Sequence, residues 1–185
     1  MGVLDVAART AGRARYAAAQ GLRSAWYGVQ MGAARRSASG FDRPGEPAFR
    51  PTRGTPDLSV LRRAYFELFL QDRLNVEAGL YPRPSDVRLR DLPKALRSAR
   101  AFREDVAEVD RRRLERNGTE IRQQVVDGHN RYPTYYLQNF HYQSGGWFTE
   151  DSADLYDTQV EALFTGTADA MRRAALAEIS RELRG

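Results

Sequence analysis

The side chains best suited to chemistry fall between His129 and Trp147. His141 carries an imidazole whose unperturbed pKa of about 6.5 lets it take or give a proton near neutrality, as a general base for an acceptor hydroxyl must. Around it stand Tyr132, Tyr135, Tyr136, Phe140, Tyr142, Trp147 and Phe148, seven of the chain's 19 aromatic residues within 17 positions. Tyr135, Tyr136, Tyr142 and Trp147 each join an apolar ring to a polar tip, which suits a half-buried wall facing a small-molecule substrate. A corner of the hydrophobic core uses the same residues, each hydroxyl finding a backbone partner. Composition alone favours the core corner.

Other chemistries lack their residues. The chain has no cysteine, which removes disulfides, thiolate metal sites and thiol nucleophiles and leaves a reducing cytoplasm as the expected compartment. Its two histidines, His129 and His141, are 12 apart with no matching carboxylate spacing, so no metal site is expected. No G-x-G occurs, so the glycine turn that lets backbone approach a dinucleotide or methyl donor is missing. The nucleophile elbow G-x-S-x-G is missing too. Glu150, Asp151, Asp154 and Asp157 read as a helix cap and a solvated face rather than a catalytic carboxylate pair.

The elements that must position these residues are helices. Residues 3–36 are alanine-rich, and Val3, Ala7, Ala11, Ala14, Ala18, Leu22, Ala25 and Val29 form a shallow apolar stripe beside arginines. Residues 37–55 hold Pro44, Pro47 and Pro51 with three glycines, a linker or strap that Phe41 and Phe49 would pin. Thr55 and Pro56 predict a helix start, and Gly79 its end. Leu58, Leu61, Tyr65, Leu68 and Phe69, widened by Phe66, Leu70 and Leu74, predict a central core helix. Asp91 caps a helix that buries Leu92, Leu96, Ala99, Phe102, Val106 and Val109, with Arg111, Arg112 and Arg113 as its solvated end and Asn117-Gly118 as its stop. Thr119 starts a shorter helix through Val126. Thr149 caps the next, burying Tyr156, Val160, Leu163 and Phe164. Thr167 caps the last, burying Met171, Ala175, Leu176, Ile179 and Leu183. The expected fold is all-α: an irregular bundle of about five to six helices, with a basic arm over 1–36, a strap over 37–55 and a helical domain over 56–185.

The run YPTYYLQNFHYQSGGWFTEDSADLYDTQVEALFTGTADAMRR resembles the segment preceding the catalytic domain in class I S-adenosylmethionine-dependent methyltransferases. In that family a YYLxNFHxQ element leads through a glycine turn to a helix with a LYDxQVExLF core and then GTADAMRR. The resemblance implies a region that covers the acceptor, with His141 as general base and Tyr135, Tyr136, Tyr142 and Trp147 lining the acceptor pocket. It also implies that Thr165, Gly166 and Thr167 contact the donor side. The family's donor domain begins with a strand and a glycine-rich turn, and these 185 residues end before one. The resemblance therefore implies that S-adenosylmethionine belongs to the family's full-length proteins, and that this chain alone binds no cofactor. The catalytic domain is its expected partner.

The net charge of +5 resides in residues 1–40, where six arginines face one acid; residues 41–185 hold 23 basic and 23 acidic side chains. Only Tyr16, Trp26 and Tyr27 there could stack on bases, which argues against a nucleic-acid arm; a docked helix and a lipid-surface helix are the alternatives. No apolar run predicts a transmembrane segment. A region parted from its catalytic domain should expose apolar surface on its last two helices and self-associate. The alternative function is a stand-alone helical adaptor that presents its aromatic surface to a protein partner.

Overall fold

The computed structural model describes residues 3–38, 45–48, 50–54, 57–84, 91–116, 132–137, 144 and 149–184. It is all-α: α1 (Val3–Ser37), α2 (Leu58–Glu77), α3 (Leu92–Glu115), α4 (Glu150–Leu163) and α5 (Ala168–Glu182), with a single 3-10 turn at Thr134–Leu137 and no strand among the described residues. No described helix is long and apolar enough to cross a membrane. The helix predicted to start at Thr119 and the strap's Phe41 and Phe49 lie outside the described residues.

The helix ends follow local chemistry, though not always through the expected side chains. Asp57 caps α2, accepting the Ser59 N–H at 2.8 Å, whereas the expected cap Thr55 lies outside the described residues. At the other end Gly79 takes φ 69° while Leu80 N–H reaches Asn75 O at 3.0 Å and Gly79 N–H reaches Val76 O at 3.0 Å. This is the left-handed closure that glycine permits without steric cost. Asp91 precedes α3 without a side-chain capping bond, and Arg116, at φ 55°, ends it. Thr149 Oγ1 accepts the Ser152 N–H at 3.2 Å and caps α4.

The chain divides into two compact units: Met1–Val29, Thr52–Leu89 and Glu161–Gly185 form the first, Gln30–Pro51 and Arg90–Val160 the second. In the first unit, Arg13 meets Glu77 and Tyr16 meets Asp72, so α1 runs antiparallel to α2, and Arg23 meets Asp169 at the start of α5. Asp72 with Arg173, Asn75 with Arg181 and Gly79 with Arg184 rise together, so α2 and α5 run parallel. In this unit α1 is thus docked through Arg13, Tyr16 and Arg23.

The faces turned inward in this unit are not the expected ones. On α1 the inner positions include Tyr16 and Gln20, while Ala7, Ala11, Ala14, Ala18, Leu22, Ala25 and Val29 are exposed. On α2 the deeply buried residues are Asp72 and Asn75; Tyr65, Leu68 and Phe69 are half-buried, and Leu58, Leu61, Phe66, Leu70 and Leu74 are exposed. The core-helix expectation fails for that second group. On α5 Ala168, Ala170 and Ala177 are buried, while Met171, Ala175, Leu176, Ile179 and Leu183, expected inside, face outward. Periodicity locates an amphipathic helix's two faces, but which one turns inward depends on partners. Small alanines allow α5 to approach closely, and the aliphatic stems of its arginines carry charge across to α2.

The second unit keeps more of the expected pattern. Ala99 and Phe102 of α3 are buried, Val106 and Val109 half-buried, and Leu92 and Leu96 exposed. On α4 Ser152 and Thr158 are buried whereas Tyr156 is exposed; beyond the unit boundary the helix's last apolar residue, Leu163, and Phe164 are exposed as well. The expected solvated end of α3 is corrected at its middle arginine: Arg112 is 1% exposed and donates to Ser144 Oγ. Arg111 alone forms an exposed cluster, with Glu108 and Glu115. Glu46 pairs with Arg116.

These placements predict that Asp72→Ala costs about 3–5 kcal/mol in urea unfolding, because the part-buried Arg173 guanidinium loses its counter-charge and Tyr16 and Tyr81 lose their acceptor. Phe66→Ser should cost under about 1 kcal/mol, because its ring is exposed. Burial would raise the Asp72 pKa, but bonds from Arg173, Tyr16 and Tyr81 outweigh it and hold the carboxyl below 3.8. A depressed pKa stabilises above the unfolded value and is lost as pH falls through the folded one. The gap between native protein and Asp72→Asn should therefore be full at neutral pH and shrink below pH 3.8, an outcome that acid titrations of unfolding will check.

Candidate functional site

Two clusters in the first unit hold its buried charge. The first surrounds the turn between α4 and α5. Thr165 and Gly166 take φ 55° and 79°, and Gly166 N–H donates to Glu161 O at 2.7 Å, so the helix closes and restarts within three residues. A Cβ on Gly166 would stand 3.0 Å from Arg23 O and 3.0 Å from Ser24 Cα, so the turn lies directly on the α1 backbone. Thr167 sits at the expected cap position but does not cap. Its fully buried hydroxyl donates to Phe164 O at 2.6 Å.

Glu161 supplies the cap instead. Its carboxylate is buried, accepts the Asp169 N–H at 2.9 Å and pairs with Arg23 Nη2 at 2.9 Å. Arg23 also reaches Asp169 Oδ2 at 2.7 Å and lies 5.4 Å above the Tyr27 ring. Burial would lower the Arg23 pKa, but its bond to Glu161 and the nearby carboxylate charges prevail and keep it charged. The start of α5, where the resemblance puts a donor contact through Thr165, Gly166 and Thr167, thus receives the chain's own carboxylate. Glu161 Oε2, Arg23 Nε and Ser24 Oγ are buried without hydrogen-bond partners among the described residues.

The second cluster centres on Asp72, 2% exposed. Arg173 grips it with two bonds of 2.8 Å, from Nε to Oδ1 and from Nη2 to Oδ2. Tyr81 donates to Oδ1 at 2.8 Å, and Tyr16 donates to Oδ2. Burial first, then the bond to Asp72 and its charge, push the Tyr16 hydroxyl well above its ordinary pKa. Asn75 extends the network, accepting from Gln71 and Arg181 at 3.0 Å each and donating to Tyr81 at 3.3 Å. A carboxylate with four donors has its acceptor positions filled. It can hold three helices together, and it has no acceptor position left for a substrate proton.

The expected acceptor wall is placed only in part. His141, Tyr142 and Trp147 lie outside the described residues, and Tyr136 lies in the 3-10 turn with its side chain likewise outside them. Tyr135 is 66% exposed on that turn. In the second unit a cavity of about 570 Å³ opens between α3 and α4, lined by Lys94, Arg97, Asp105 and Asp151 among others. No group of three or more His, Asp or Glu side chains among the described residues could hold a metal ion. Sequence reasoning missed Asp72, Glu161, Arg23 and Arg173. The one available signal was Asp72 itself, an acid inside the apolar run of α2; its partner Arg173 lies 101 residues away. No family model, curated protein or solved structure matches the chain.

Gly166→Ala should lower stability by about 1–3 kcal/mol in thermal unfolding, since alanine tolerates neither the left-handed backbone nor the contact with α1. Gly28→Ala is the contrast. Its Cβ would meet only the Thr165 methyl at 3.4 Å within a helix, so it should be neutral or stabilising by up to about 1 kcal/mol.

Proposed function

We propose that this chain is the helical N-terminal covering region of a class I S-adenosylmethionine-dependent methyltransferase, which docks beside a donor-binding domain and closes over a small-molecule acceptor. One observation carries the reading: the apolar row of α5 faces outward, with Ile179 54% and Leu183 82% exposed, while Arg173 of the same helix turns inward to Asp72. Exposed apolar rows of this kind mark surfaces that another domain covers. The row begins at Met171, within the GTADAMRR run that carries the resemblance. The exposed ring of Tyr135 also supports the reading, since a wall that meets an acceptor must be open to it. In this account S-adenosylmethionine is held by the partner domain, His141 serves as general base, and Tyr136, Tyr142 and Trp147 complete the wall.

The adaptor reading draws on a different row. Phe66, Leu70 and Leu74, spaced by four along α2, lie outside the resembling run and are exposed as well. The same chemistry would serve a protein partner or a second copy.

Calorimetry distinguishes the two. Titration with a donor-binding domain from a methyltransferase that carries the YYLxNFHxQ and LYDxQVExLF elements should give micromolar association. The double variant Ile179→Asp, Leu183→Asp should weaken it by at least about tenfold. S-adenosylmethionine added to the chain alone should give no heat of binding. Micromolar binding of the donor by the lone chain would contradict the proposal, as would indifference to the domain together with self-association that the same variant abolishes.

A further inference from the structure

Among the described residues the cavity of the second unit is lined by α3, by Ser144 and by the start of α4, and its charges have their own logic. Lys94 and Arg97 stand three apart on the first turns of α3, and Ser98 continues that face. Opposite them α4 presents Asp151, Ser152 and Leu155. Two other acids of the wall are already engaged: Asp105 accepts Gln159 Nε2 at 2.7 Å, which ties α3 to α4, and Glu104 pairs with Arg100 at 2.8 Å. Lys94, Arg97 and Asp151 have no partner among the described residues. Among the described residues the wall therefore carries two unmatched cations and one unmatched carboxylate, with Ala101 and Leu155 as its apolar side chains.

We infer that this cavity binds a small zwitterion of the amino-acid or short-peptide class, its carboxylate held by Lys94 and Arg97 and its ammonium by Asp151. A wholly anionic ligand would meet Asp151, and a wholly cationic one would meet Lys94 and Arg97. Only a molecule bearing both charges satisfies all three. A space of about 570 Å³ falls within the range of small-molecule sites and accommodates a tripeptide. Ser98 offers a hydroxyl to its peptide groups, and Leu155 supplies apolar contact. The carboxylate gains most from Arg97, whose planar fork matches it with two parallel donors.

Trialanine, its N-acetylated form, its C-terminal amide and inorganic phosphate, each titrated into the full chain, test this. Trialanine should bind saturably in the millimolar range, and each blocked form should bind at least about fivefold more weakly, as loss of one charge contact requires. Asp151→Asn should erase the difference between trialanine and its acetylated form, and Lys94→Ala combined with Arg97→Ala the difference between trialanine and its amide. These side chains are exposed, so circular dichroism of each variant should match the native chain. Absence of saturable trialanine binding would overturn the inference. So would equal binding of all three peptides, binding of phosphate in place of trialanine, or trialanine binding that survives all three substitutions.

Discussion

The carboxylate of Asp72 is the constraint on which the first unit depends. A charge 2% exposed is tolerated only when its lone pairs are filled, and here one guanidinium and two phenols fill them. Each donor comes from a different place: Tyr16 from α1, Tyr81 from the segment after α2, and Arg173 from α5. Satisfying one acid therefore fixes the rotation of three helices at once. Glu161 repeats the arrangement at the other end of the unit, where it joins Arg23 of α1 to the first turn of α5.

That rotation decides which surface the unit shows. Once Arg173 points inward, Met171, Ala175, Ile179 and Leu183, which lie on another face of α5, point outward. With Asp72 and Asn75 inside, Phe66, Leu70 and Leu74 follow on α2. The polar interior and the apolar exterior are one fact seen from two sides, and the docking proposal follows from it. Gly166 permits the arrangement, because a side chain there would hold α5 away from Arg23 and Ser24.

Helix content and most helix ends were legible in the sequence, since glycine at 79 and threonine at 149 act through neighbours within a few residues. The buried Ala99 and Phe102 were legible for the same reason. Burial in the first unit was not. An apolar stripe such as Ala7 to Val29 predicts a core face only if nothing stronger competes for the interior, and Asp72 with Arg173 competes across 101 residues. Thr167 shows the same limit on a smaller scale: its type and position suit a cap, but Glu161, one turn and a bend earlier, takes the role. The candidate site was legible only as composition. Tyr135 is placed at the surface, while His141, Tyr142 and Trp147 lie outside the described residues.

A double-mutant cycle on Asp72→Asn and Arg173→Gln, read by urea unfolding at neutral pH, tests the interior charge network most directly. The two single substitutions should each be strongly destabilising, and the double should cost far less than their sum, giving a coupling of about 2–3 kcal/mol. Additive costs, with coupling below about 0.5 kcal/mol, would mean that Asp72 and Arg173 do not meet inside the folded unit.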